Sequence, residues 1–245
     1  MLTNQDGIVE PLVLSESPDR NPFDELLLYT YECGVPYRAE FLGGRDETVE
    51  NEFRKFIDAG KSVEDFYRES EVNLYHSIHM ETDRWQAPYR QAILETLPTP
   101  RTVLDYGCGA GGNGLILAGR GYSVDFVDYA ETPASKFLKW RIEKRGLTSK
   151  VYSFVDNIPE HDLVFAFDVI EHTPEPFEAL KQLEELSKAV AVNLLTKIPA
   201  CDSSKLQLHY PLPISQLVNY INSKKVLVWR DFNYALFAIY EGWKE

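Results

Sequence analysis

Asp105 stands two residues before the first glycine of the run Gly107-Cys108-Gly109-Ala110-Gly111-Gly112, and that spacing decides what the run can bind. Glycines let a chain turn tightly and bring bare backbone against a ligand. Gly107, Gly109 and Gly112 satisfy the G-x-G-x-x-G spacing used for dinucleotides. In such a site a pyrophosphate rests on a helix N-terminus, and a neighbouring carboxylate repels it. A ligand carrying an ammonium or a sulfonium is attracted instead.

Further acids fall where strands are expected to end. Asp128 closes a second strand, Asp156 a third and Asp168 a fourth. In an open parallel sheet those ends converge on one crevice. Asn157 and Phe167 flank two of them. Histidines supply proton chemistry near neutral pH. His172 follows the fourth strand and is the best-placed candidate base, and His209 lies in a long loop. His76 and His79, three apart on a predicted helix, share a face. Tyr67, Tyr75, Trp85 and Tyr89 have the helical spacing of packing residues and could also line an aromatic pocket. Cys33, Cys108 and Cys201 are far apart and lack a C-x-x-C pair. That argues against a disulfide framework or a structural zinc, and no metal site is expected.

The elements that must position these residues alternate from residue 101 onward. Val103 and Leu104 end a buried strand, and a helix begins at Asn113. Tyr122 to Asp128 reads as a strand. Thr132 caps a helix with Pro133 at its first position, and Gly146 ends it. Lys150 to Asp156 reads as the third strand. The run Leu163-Val164-Phe165-Ala166-Phe167 is continuously apolar, as a central strand buried on both faces requires. A helix over 175–188, a strand over 189–195, a helix over 214–222 and strands over 225–230 and 234–240 complete the pattern. It predicts an α/β, doubly wound, mostly parallel sheet with right-handed crossovers and one antiparallel strand.

The first hundred residues instead read as helices, over 22–33, 46–59, 62–80 and 84–97. Ser62 and Asp65 form a possible capping box. The expected organisation is a helical N-terminal cap over 1–83, packed on the sheet's carboxyl edge, and a ligand-binding domain over 84–245.

Of the 245 residues, 44% are hydrophobic, as a chain with a sizeable core needs. No apolar run approaches the roughly 20 residues that cross a membrane. Asp6, Glu10 and Glu16 stand where a signal peptide would be basic and apolar, so a cytoplasmic location is expected. The formal charge of -13 disfavours polyanions, and no nucleic acid partner is expected. Lys136, Lys139, Arg141, Lys144 and Arg145 read as one solvated helix face.

The stretch from Val103 to Gly111 resembles motif I of the class I S-adenosyl-L-methionine-dependent methyltransferases, matching at Asp105, Gly107, Gly109 and Gly111. Asp168-Val169-Ile170-Glu171-His172 resembles the D-V-L-E-H signature of the branch that acts on small molecules. The resemblance implies a Rossmann-like seven-stranded sheet with helices on both faces. It implies that Asp105 and the glycines meet the methionine portion, Asp128 the ribose hydroxyls, and Asp156 and Asn157 the adenine edge. Phe167 and Asp168 would close the pocket. It implies methyl transfer to an oxygen or nitrogen of a small-molecule substrate, with His172 or His209 as base. A nicotinamide-dependent oxidoreductase and a non-catalytic cofactor-binding subunit remain the alternatives. The oligomeric state is not set by the sequence.

Overall fold

Side chains along the central strands alternate between the two faces of the sheet, and that alternation builds two cores. In a computed structural model, which describes residues 20–42, 46–82, 86–99, 101–197 and 208–242, Leu163 and Phe165 are buried on one face of the sheet and Val164 and Ala166 on the other. Val103 and Leu104 divide in the same way, as do Ala189 and Val190. Period-two burial on both faces is what a strand covered by helices above and below must show.

Five helices precede the sheet: α1 (Pro22–Cys33), α2 (Asp46–Asp58), α3 (Val63–Glu69), α4 (Val72–Thr82) and α5 (Ala87–Thr96). Strands and helices then alternate as β1 (Thr102–Tyr106), α6 (Gly112–Ala118), β2 (Ser123–Asp128), α7 (Pro133–Lys144), β3 (Val151–Ser153), β4 (His161–Ala166), α8 (Pro176–Leu186), β5 (Ser187–Leu195), α9 (Ile214–Asn222), β6 (Lys225–Asp231) and β7 (Ala235–Glu241). The seven strands lie in the order β3-β2-β1-β4-β5-β7-β6. β7 runs antiparallel to both β5 and β6, and the remaining pairs are parallel. Among the described residues no helix is long and apolar enough to cross a membrane.

The predicted caps form. Thr132 Oγ1 accepts from Ser135 N–H at the start of α7. Ser62 and Asp65 exchange the two bonds of a capping box at α3. Two expectations change. The helix over 62–80 is two helices, because Ser70 takes an extended conformation between them. That break lets Phe66 and Val72 share one small core with Phe53 and Leu208. The third strand stops at Ser153, so Asp156 lies in the turn beyond it. The expected boundary between 83 and 84 falls outside the described residues, as do Trp85 and Cys201.

The cap is joined to the sheet domain by a third core. Leu26 and Tyr29 of α1 and Leu74, Tyr75 and Ile78 of α4 pack with Phe137 and Trp140 of α7 and with Ala110 of the glycine loop.

Phe165 has no exposed surface, and its ring lies 4.8 Å from that of Phe167. Phe165→Ala should lower unfolding free energy by about 3–5 kcal/mol, measured by urea denaturation. A loss below about 1 kcal/mol would mean the cavity closes by repacking.

Candidate active site

β1, β2 and β4 are neighbours or next neighbours in the sheet, so the residues at their carboxyl ends face one crevice. Gly107 and Gly109 turn the chain there with φ of 70° and 53°, a region that side chains disfavour. Space excludes a side chain as well. A Cβ on Gly107 would stand 2.6 Å from Val169 Cγ2, and one on Gly109 would stand 2.5 Å from Ser77 Oγ. Ser77 belongs to α4, so the cap lies directly on the loop. Gly111 is the N-cap residue of α6.

Asp105 is 4% exposed, and its Oδ2 accepts from Gly114 N–H at 2.9 Å. Burial, and then the field of Asp128, push its carboxyl up to about 8 against the one opposing hydrogen bond. Asp128 Oδ2 accepts from Gly109 N–H at 2.6 Å, and its Oδ1 accepts from Tyr129 N–H at 2.6 Å. Each oxygen keeps a lone pair for a further donor. Burial raises this carboxyl too.

Asp168 sits at a left-handed φ of 55°, which an aspartate tolerates better than most residues. Its Oδ1 accepts from Asn193 Nδ2 at 2.7 Å, and its Oδ2 accepts from Gln86 Nε2. Desolvation outweighs both bonds and pushes it up to about 6. The network continues outward. Asn113 Nδ2 donates to Gln86 Oε1 at 2.8 Å, and Arg90 Nη1 donates to Asn113 Oδ1 at 2.6 Å. Arg90 pairs with no carboxylate among the described residues, and burial holds its guanidinium below the usual range. Sequence reasoning passed over Arg90, which reads there as one more polar residue on a helix. Its distinguishing signal, a cation lodged against the first turn of α6, exists only in the fold.

Glu171 was likewise unread. It is 2% exposed, its Oε2 has no hydrogen-bond partner, and burial beside Asp168 raises its carboxyl well above normal.

His172 follows Glu171 in a short 3-10 turn, Ile170–His172. Its Nδ1 lies 2.8 Å from the Leu208 carbonyl and 2.9 Å from Tyr67 Oη. A carbonyl only accepts, so Nδ1 carries the proton and Nε2 the lone pair. Desolvation, then the field of His209, push the imidazole down to about 3. The rings of His172 and His209 are 4.5 Å apart. His76 acts electrostatically on His172. His79 does not join them, because its Nε2 meets the Leu42 carbonyl at 2.6 Å.

Other expected residues are placed differently. The Phe167 ring is in the core, against Tyr89 at 5.3 Å and Phe165 at 4.8 Å. Asp156 and Asn157 are exposed, and Asp156 Oδ2 accepts from Ser153 N–H at 2.6 Å. Tyr75 and Tyr89 are packing residues, the latter stacked on Phe237. Burial pushes the Cys108 thiol well up, so it carries no thiolate. The basic helix face is corrected most sharply. Arg141 is fully buried, and Arg145 is held by Glu25.

The buried acids set a pH dependence. In the folded chain Asp105 binds its proton up to about 8, against 3.8 when solvated. The folded state therefore holds more protons across that interval, and stability falls as pH rises through it. The melting temperature should decline from mildly acidic pH toward 8, and Asp105→Asn should flatten the decline. A variant that melts with the same pH slope as the wild type would contradict this assignment.

Comparison with known proteins agrees with the geometry. A family model described as a methyltransferase domain matches residues 79–235, more than half of the chain. A ubiquinone biosynthesis O-methyltransferase of Pseudomonas paraeruginosa is 28% identical over 128 residues, 49% of this chain and 52% of that protein. The chain thus spans about half the length of the curated relative it matches. Among solved structures, a SAM dependent methyltransferase from Aquifex aeolicus superposes with a TM-score of 0.54 at 17% identity, covering 69% of this chain and 98% of that one. TehB from Haemophilus influenzae gives 0.53 at 18% identity, covering 69% and 66%. At such identities these two establish likeness of fold. With the family match spanning the glycine loop, the strand-end acids and most of the sheet, this chain belongs to the class I S-adenosylmethionine-dependent methyltransferases.

Proposed function

We propose that the protein transfers a methyl group from S-adenosylmethionine to an oxygen of a small molecule, with a nitrogen acceptor as the other outcome of the test. The observation that carries the oxygen reading is the neutral imidazole of His172, which keeps Nε2 as a lone pair at the carboxyl end of β4. The curated relative, named as an O-methyltransferase, is compatible with it.

The residues present fit the cofactor. Asp128 offers one lone pair on each oxygen to two ribose hydroxyls. Arg90 is a half-buried cation suited to a carboxylate. Asp105 gains a reason to ionise when an ammonium or sulfonium comes near. Gly107 and Gly109 leave backbone where side chains would not fit. Asp156 and Asn157, exposed beyond β3, are left for the adenine edge, and Asp168 closes the site with Gln86 and Asn193. When bound, the cofactor supplies an electrophilic methyl on a positively charged sulfur.

The protein then has little covalent chemistry to do. It holds the acceptor in line, excludes water and takes up one proton. His172 Nε2 receives the hydroxyl proton as the new carbon–oxygen bond forms. An imidazole held near 3 releases that proton readily, and the half-buried His209 ring beside it offers the way out. The helices before the sheet supply the acceptor side.

Incubation with S-adenosylmethionine and a panel of hydroxyl and amine acceptors, read by product mass, tests the function. Methylation of amines alone would replace the oxygen reading, and binding without turnover on any acceptor would favour a non-catalytic subunit. Asp128→Ala removes two charge-assisted bonds worth about 1.5–3 kcal/mol each. Calorimetry should find S-adenosylhomocysteine bound roughly two to four orders of magnitude more weakly, and unchanged affinity would move Asp128 out of the site. His172→Ala should slow turnover by about 10²- to 10⁴-fold while holding the cofactor nearly as well. Because His172 stays neutral down to about 3, the rate should have no acid limb from this residue near the ordinary imidazole value. Near-normal turnover in the variant would make His172 structural and leave alignment as the whole of catalysis.

A further inference from the structure

Arg141 is the largest fully buried side chain among the described residues, and it donates four hydrogen bonds and makes a further ion-pair contact. Nε donates to Glu25 Oε2 at 2.7 Å. Nη1 donates to Glu81 Oε2 and to the Ala110 carbonyl, each at 2.8 Å. Nη2 meets Glu81 Oε1 at 2.8 Å and Glu25 Oε2 at 2.7 Å. Glu25 also binds Arg145, so two cations face two carboxylates out of water.

Such a cluster is a weak source of stability, since apolar residues of similar volume often do as well. What it supplies is geometry. Arg141 on α7 thereby ties together three partners, on α1, α4 and the glycine loop. Ala110 lies between Gly109 and Gly111, a stretch with almost no side chains of its own to fix it. α4 reinforces the tie, because a Cβ on Gly112 would stand 2.8 Å from Glu81 Cβ, just as one on Gly109 would meet Ser77 one turn earlier.

We propose that Arg141 is a positioning residue for the cofactor, and that Glu81 makes cofactor affinity depend on the seating of the cap. The guanidinium holds the Ala110 carbonyl on the side of the loop that faces α4 and α7, and Glu81 holds the guanidinium. Loss of Glu81 frees Nη1 from its carboxylate and lets the loop carbonyl move with it. By linkage, cofactor bound to the loop must in turn stabilise α1 and α4. The inference rests on the cofactor reading of the loop given above.

The two glutamates separate positioning from mere stability. Glu25 binds the same guanidinium and, among the described residues, makes no hydrogen bond or ion pair with the loop. The full chain is titrated with S-adenosylhomocysteine by calorimetry, well below the melting temperature of each variant. Glu81→Gln and Glu25→Gln should both melt earlier than wild type. Only Glu81→Gln should weaken binding, by roughly tenfold or more, with KM for S-adenosylmethionine raised and kcat at saturation near wild type. Equal weakening in both variants, or none in Glu81→Gln, would overturn the inference. Hydrogen exchange on the wild type needs no variant to fold: S-adenosylhomocysteine should slow amide exchange in α1, and unchanged exchange there would overturn it too. A wild-type chain that fails to bind S-adenosylhomocysteine at all would instead sink the cofactor reading, and this inference with it.

Discussion

A sheet covered on both faces leaves its strands almost nowhere to hold a polar side chain except their ends. Leu163 to Ala166 and Val190 to Val192 show the consequence, with side chains committed to one apolar core or the other. The polar residues are displaced to the crevice at the carboxyl edge, where helices of the cap arrive from above. Two exceptions within the strands are hydrogen-bonded to neighbouring segments. Asn193, fully buried in β5, exchanges two hydrogen bonds with Asp168. Asp105, inside β1, is held by the first turns of α6. Both are polar groups that the core tolerates because each reaches the crevice.

The same burial determines the charge state of the crevice. The chain carries a formal charge of -13, yet its crevice is not a concentrated anion. Desolvation raises Asp105, Asp128, Asp168 and Glu171 together. It lowers His172 for the same reason, since burial disfavours whichever form is charged. A cationic ligand reverses the balance at the acids nearest it and leaves the histidine neutral. Burial thus makes the acids easier to ionise only where a positive group comes near, and leaves the histidine neutral.

Local patterns were legible where local physics decides. The helix over Pro22–Cys33 was expected with the bounds found, because Asn21 caps it and Gly34 ends it in a left-handed turn. Ile214–Asn222 was read as well from periodicity alone. The glycine loop and the acids after it follow from strand-end logic. What stayed hidden depends on partners distant in the chain. Arg141 looks solvated on its helix, and Glu25, 116 residues away, and Glu81, 60 residues away, make its burial possible. Arg90 needs Asn113, and the Phe167 ring needs Tyr89 and Phe237, before either has a defined place. The break at Ser70 was hidden too, since the residues on both sides are good helix formers and the gain is tertiary: Phe66 and Val72 enter one core.

The cap reaches the crevice at more than the loop. Tyr67 and Arg68 are consecutive at the end of α3, about 100° apart around its axis. Tyr67 Oη meets His172 after β4, and the Arg68 guanidinium stands 4.5 Å over the ring of Tyr129, the residue after Asp128. A helix of seven residues thus contacts the segments that follow two strands flanking β1. Its neighbour α4 presses on the glycines after β1 itself. All three strand-end segments of the crevice are therefore contacted by the cap. A methyltransferase sheet of this kind repeats the same strand-end chemistry whatever it methylates, so the acceptor must be read by what lies above it. Here that is the pair α3 and α4, which bring Tyr67 and His76 to His172 and His209 in the segments that follow β4 and β5.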